Sequence, residues 1–80
     1  MHYVYILRLT DGHYYAGSTA DLKKRFAAHN RGFVSSTKSR VPAKLAFYCA
    51  FENKAKAVDF ERYLKSSSGF AFRNKRLITK

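Results

Sequence analysis

From Tyr3 onward the chain alternates in a way that places apolar residues on both sides of an extended segment. Tyr3, Tyr5, Leu7 and Leu9 fall on one face, Val4 and Ile6 with Arg8 on the other. A strand flanked by apolar side chains on both faces predicts a central position in a sheet. Asp11-Gly12 interrupts the run, and Thr10 to His13 predicts a loop of about three to five residues leading into Tyr14-Tyr15-Ala16-Gly17-Ser18 as the returning strand of a β-hairpin. A second apolar run, Ala43 to Phe51, puts Leu45, Phe47, Cys49 and Phe51 on one face and Ala46, Tyr48 and Ala50 on the other. It predicts another strand, and the pattern leaves its direction open.

Between and after the strands the period lengthens. A helix is expected from about Ala20 to Asn30, with N-cap candidates in Ser18-Thr19-Ala20-Asp21 and a stop at Gly32. Leu22 and Phe26 define its buried stripe. Arg25 and His29 are also one turn apart, on an adjoining flank that borders the core without entering it. Gly32 to Pro42 is polar, basic and without apolar period, the composition of an exposed loop, and Lys38 and Arg40 among hydroxyl side chains suit phosphate contacts. Asn53 is placed to cap a helix reaching about Ser66, with Ala57, Val58, Phe60 and Leu64 facing inward. Glu61 lies in the same arc, and an inward carboxylate needs a partner, for which Lys65 is one turn away. Gly69 then closes a Ser66-Ser67-Ser68-Gly69 connection. Phe70 to Ile78 forms a final short helix or turn, with Phe70, Phe72, Leu77 and Ile78 available to cover the sheet and Arg73, Lys75, Arg76 and Lys80 making its outside basic.

Eighty residues allow a single domain, residues 1–80, whose small core is helped by seven Phe and six Tyr. The lone Cys49 has no intrachain partner and no metal-ligand spacing, and is expected to be a packed hydrophobe in a reduced, cytoplasmic compartment. No apolar run approaches the roughly 20 residues of a membrane span, and the N-terminus carries no signal-peptide pattern. Charge changes the picture more than size does. Sixteen Lys and Arg against five Asp and Glu give a formal net charge of +11, which favours a polyanionic partner, nucleic acid before all others. The basic residues are spread along the chain rather than gathered opposite one apolar face, which disfavours a membrane surface.

Tyr3-Val4-Tyr5 and Tyr15-Ala16-Gly17, followed in order by Arg25 and His29 on the first helix, Glu61 on the second and Asn74 near the end, resemble the signature of the GIY-YIG nuclease superfamily, in particular its small standalone bacterial members. The match runs through nearly the whole chain. The resemblance implies an α+β domain in the order β-β-α-β-α-α, with a small mixed three-stranded sheet flanked by helices. It also implies metal-dependent hydrolysis of DNA phosphodiesters, DNA more than RNA. Tyr5, Tyr15, Arg25, His29 and Glu61 would be catalytic and Glu61 the anchor of one Mg²⁺ or Mn²⁺. Lys38, Arg40, Lys65 and Asn74 would contact nucleic acid.

In that scheme Arg25 grips the phosphate and one of the two tyrosines orients and deprotonates the attacking water. A free phenol has a pKa of about 10, and His29, Arg25 and the metal would favour its ionised form. The chain departs from the family pattern in two places. Tyr3-Val4 stands where the signature has Gly-Ile, and Ser18 follows Gly17 where several members have Lys, a missing cation that implies a slow member, one that uses Lys23, Lys24 or Lys65 instead, or an inactive one. Two other readings use the same residues. One is a non-catalytic nucleic-acid-binding module of the same fold, and the other a small interaction protein that takes catalysis or targeting from a protein partner.

Overall fold

The structure, a computed structural model, describes residues 1–78; Lys80, expected on the basic outer surface, lies outside them. Strands β1 (His2–Arg8), β2 (Tyr14–Thr19) and β3 (Lys44–Phe51) form one sheet in the order β2-β1-β3, with helices α1 (Leu22–Asn30), α2 (Lys54–Leu64) and α3 (Ser67–Phe72). As its two apolar faces require, β1 is the central strand. Val4 and Ile6 face a core with Ala16, Ala57, Leu64 and Ile78, while Tyr5, Leu7 and Leu9 face a second core with Ala43. Phe51, Phe60, Tyr63 and Phe72 continue the first core outward as a chain of ring contacts.

The hairpin turns through Leu9 to His13, where Gly12 takes φ +85° and its N–H donates to the Leu9 carbonyl at 3.0 Å. Chain geometry then corrects the mixed sheet that the family resemblance implied. β2 ends beside the start of β1, since Thr19 pairs with Tyr3, and α1 with the following loop carries the chain back to the far end, so that β3 enters opposite Arg8. Both neighbours of β1 are therefore antiparallel to it, and the two edge strands run the same way without touching. Asn30 fastens this return: its side chain accepts from the Ala43 N–H at 2.6 Å and donates to the Ala43 carbonyl at 3.2 Å.

Three further expectations are revised by packing. The register between β1 and β3 shifts at Ile6/Leu7, so Ala46 is an extra residue and Leu45 pairs with Leu7 instead of sharing a face with Phe47. Asn53 does cap α2, accepting from the N–H groups of Ala55 and Lys56, but the helix ends at Leu64, and Ser66 caps α3 by accepting from the Gly69 N–H at 3.2 Å. Gly69 is thus a buried helix residue, not a linker: a side chain there would collide with the Tyr63 carbonyl. Finally, Phe70 and Phe72 point outward, 50% and 38% exposed, while Arg73 turns inward, its guanidinium 3.9 Å from the Phe70 ring centroid and 5.4 Å from that of Tyr14. Leu77 and Ile78, in and just after a π-helical turn, pack on the sheet as expected. A planar cation set over aromatic rings keeps its charge while burying its stem.

Candidate functional site

The site begins at the pairing of Tyr5 with Gly17 across the hairpin. Directly opposed residues in an antiparallel pair project to the same face, and a Cβ on Gly17 would fall inside contact distance of the Tyr5 ring and hydroxyl. The missing side chain is what lets the Tyr5 ring lie flat across β2. Tyr15, two residues earlier on the same face, comes within 6.5 Å of Tyr5 between ring centroids. The tyrosine spacing of the sequence therefore has a steric cause.

Helix α1 covers this face. Asp21 caps it through the Lys24 N–H at 3.0 Å, and Leu22 and Phe26 pack against the core of Tyr5, Leu7, Leu9 and Ala43 as their spacing predicts. His29, expected at the margin, is instead fully buried. Its Nε2 lies 2.8 Å from the Tyr5 hydroxyl and its Nδ1 2.7 Å from the Thr37 Oγ, and the imidazole sits edge-on to both tyrosine rings at 5.6 and 5.3 Å. Burial, helped by the Arg25 guanidinium, holds the His29 pKa below the ordinary value of 6.5. For Tyr5 burial also dominates and pushes the phenol above 10.0, even though Arg25 pulls the other way. At Tyr5 desolvation thus outweighs the pull of Arg25 toward the phenolate. Tyr15 is only half buried and Arg25 is exposed at the rim.

Glu61 approaches from the other side. Helix α2 packs on the opposite sheet face from α1, and its carboxylate meets β2 at the edge of the sheet, where Ser18 Oγ donates to Oε1 at 2.6 Å and Lys65 Nζ to Oε2 at 2.7 Å. Lys65 in turn lies 5.8 Å from the Tyr15 ring centroid, so the ion pair closes the gap around β2 to the tyrosine cluster. Burial alone would raise the Glu61 pKa, but the hydrogen bonds from Lys65 and Ser18 and the charges of Lys65 and Arg62 outweigh it and hold the carboxyl below its ordinary value. It is an anion with both oxygens already engaged.

The remaining sequence candidates stand apart. Arg40 pairs with Asp11 at 3.2 Å and donates to the Ser36 carbonyl at 2.7 Å, fastening the hairpin loop to a short 3₁₀ turn, Lys38–Arg40, in which Lys38 is exposed. Asn74 accepts from the neighbouring Arg73 Nε at 3.3 Å. The segment expected to be an exposed loop buries Val34 and Thr37. Thr37 and Ser18 are the site residues that sequence reasoning missed. Only Ser18 left a trace, as the residue after the Tyr-x-Gly triplet.

The model of the GIY-YIG catalytic domain matches residues 1–76. The chain belongs to the GIY-YIG family. Among its relatives is a UPF0213 protein of Clostridium perfringens, 46% identical over 66 residues that make up 81% of this chain and 71% of the relative. A UPF0213 protein of Halobacterium salinarum is 38% identical over 69 residues, 85% of this chain and 90% of the relative. The solution NMR structure of a UPF0213 protein from Bacillus halodurans superposes with a TM-score of 0.59 at 32% identity, covering 95% of this chain and 85% of that one. This GIY-YIG domain is thus a small UPF0213-type member, and its family ties it to nuclease-type function and to nucleic acid. GIY-YIG nucleases generally use a divalent metal. Among the described residues no three His, Cys, Asp or Glu side chains cluster as metal ligands, and no helix is long and apolar enough to cross a membrane. Glu61 is an ionised carboxylate of the kind a hard cation takes beside water and phosphate oxygens, but Ser18 and Lys65 hold both of its oxygens, so a bound cation would have to displace one of them.

Proposed function

We propose that this GIY-YIG domain hydrolyses phosphodiester bonds of nucleic acid, DNA in preference to RNA, at the rim of the Tyr5–His29–Tyr15 cluster. The observation that carries the proposal is the meeting of two tyrosines and a neutral, buried histidine under an exposed guanidinium, with an ionised glutamate reaching the same strand from its far side. Each group suits one requirement of the reaction. Arg25, at the rim, takes the phosphate in a forked hydrogen bond. Tyr5, buried and protonated, orients rather than deprotonates. Tyr15, the more accessible of the two, handles the attacking water, with Lys65 as the nearby cation where other family members have Lys after the glycine. Glu61 would hold a single divalent ion, Mg²⁺ or Mn²⁺, which when bound supplies charge neutralisation at the phosphate.

A second reading is favoured by one observation. Ser18 and Lys65 already satisfy both Glu61 oxygens, as expected of a binding module that keeps the fold and gives up catalysis. Incubating the purified protein with labelled single-stranded, duplex and branched DNA, in Mg²⁺, Mn²⁺ or EDTA, separates the two. Metal-dependent products support the nuclease, whereas retention of DNA without cleavage under every condition supports the module.

A further inference from the structure

Tyr5, His29 and Thr37 form a hydrogen-bonded row closed off from solvent: the three residues are 1%, 0% and 0% exposed. The direction of donation along it follows from counting protons. The Tyr5 hydroxyl hydrogen needs an acceptor, since a buried polar group without one is strongly unfavourable, and among the described residues the partner within hydrogen-bond distance is His29 Nε2. The charged neighbour of the hydroxyl, the Arg25 guanidinium, only donates. Nε2 therefore carries the lone pair. In a neutral imidazole the proton then sits on Nδ1, which faces the Thr37 Oγ at 2.7 Å. The Thr37 hydrogen can turn toward the Val34 carbonyl, a long contact of 3.5 Å that this carbonyl shares with the Thr37 N–H, and the Thr37 oxygen is then open to accept. Every donor in the row has an acceptor in this arrangement. Reversing the row would leave the Tyr5 hydrogen with no acceptor among the described residues.

We propose that Thr37 is a positioning residue that fixes His29 in its Nδ1–H tautomer and thereby draws the Tyr5 proton inward. The functional half of this inference rests on the nuclease reading above: with its hydrogen turned to His29, Tyr5 leaves its free lone pairs facing Arg25, so that the two tyrosines hold different hydrogen-bonding roles. The tautomer itself does not depend on any activity. Thr37 reaches the site because the turn before it, in which the Thr37 N–H donates to the Val34 carbonyl at 3.0 Å, tucks the segment beneath α1.

The test is ¹⁵N–¹H NMR of the imidazole of His29 in the wild-type protein, Thr37→Val and Thr37→Ser. In wild type the Nδ1 resonance should be that of a protonated ring nitrogen and Nε2 that of an acceptor. Thr37→Val, which keeps the shape and removes the hydroxyl, should shift the two resonances toward each other or exchange them. Thr37→Ser should return the wild-type pattern. A wild-type ring protonated at Nε2 overturns the proposal without any variant, and so does a folded Thr37→Val protein with unchanged ring shifts. Where cleavage is observed, Thr37→Val should lower kcat by about tenfold or more with KM little changed, the scale on which supporting hydrogen-bond partners act, and Thr37→Ser should restore it. If no DNA is cut, the nuclease reading fails while the ring shifts still decide the tautomer.

Discussion

The Tyr5 ring occupies space that exists only because residue 17 has no side chain. Gly17→Ala forces a methyl into it, and overpacking of this kind costs about 1–3 kcal/mol. Urea denaturation should show that loss, and NMR should show the Tyr5 to His29 hydrogen bond disrupted. His29 carries a pH signature. Its folded pKa is depressed, so below the ordinary 6.5 the unfolded chain takes up a proton that the folded one refuses. The stability present above pH 6.5 is then lost as pH falls toward the folded pKa, by less than about 1.4 kcal/mol per pH unit. Melting temperatures between pH 8 and pH 5 should decline in wild type and decline less in His29→Gln. At Glu61 a cleavage assay run beside a DNA-binding titration divides two roles. Glu61→Gln keeps the shape and removes the charge, and should abolish metal-dependent cleavage while DNA affinity persists. A cleavage rate equal to wild type in the folded variant would show that Glu61 serves only Ser18 and Lys65.

At the level of helices and strands, the tight passage from α2 to α3 rests on Gly69 lying against the Tyr63 carbonyl. A backbone atom cannot yield as a side chain does, so Gly69→Ala should destabilise by more than about 2 kcal/mol in chemical denaturation. The elements themselves were largely legible from sequence, because strands such as β1 and caps such as Asn53 depend on neighbours along the chain. So was the ordered set of Tyr5, Tyr15, Arg25, His29 and Glu61, although nothing in it fixed what each touches. The illegible features were those made by distant partners. Burial of His29 is tolerable only because Tyr5 and Thr37 arrive from other elements to satisfy both ring nitrogens. Arg73 reads as a surface charge until Tyr14 and Phe70 bring their rings within reach of its guanidinium. That Glu61 stands behind β2, rather than on the same wall as the tyrosines, follows from α2 covering the opposite face, which no residue pattern specified.

Over the whole molecule the formal charge of +11 should dominate encounter with DNA. Each phosphate met by Lys or Arg releases condensed counterions, so affinity should fall by about tenfold or more between roughly 50 and 200 mM salt, with little dependence on base sequence. A filter-binding titration across that range checks it, and salt-insensitive binding would contradict a phosphate-led interface. The register shift at Ala46 bears on a different property of the whole molecule. β3 is an edge strand eight residues long whose only charge is Lys44 at its start. A straight edge of that composition invites the same strand of another copy to add on, and so to grow into insoluble assemblies. The extra residue bends the strand just where it would otherwise offer an even ladder. Deleting Ala46 would straighten the edge, and the shortened protein should precipitate at concentrations where the parent stays in solution.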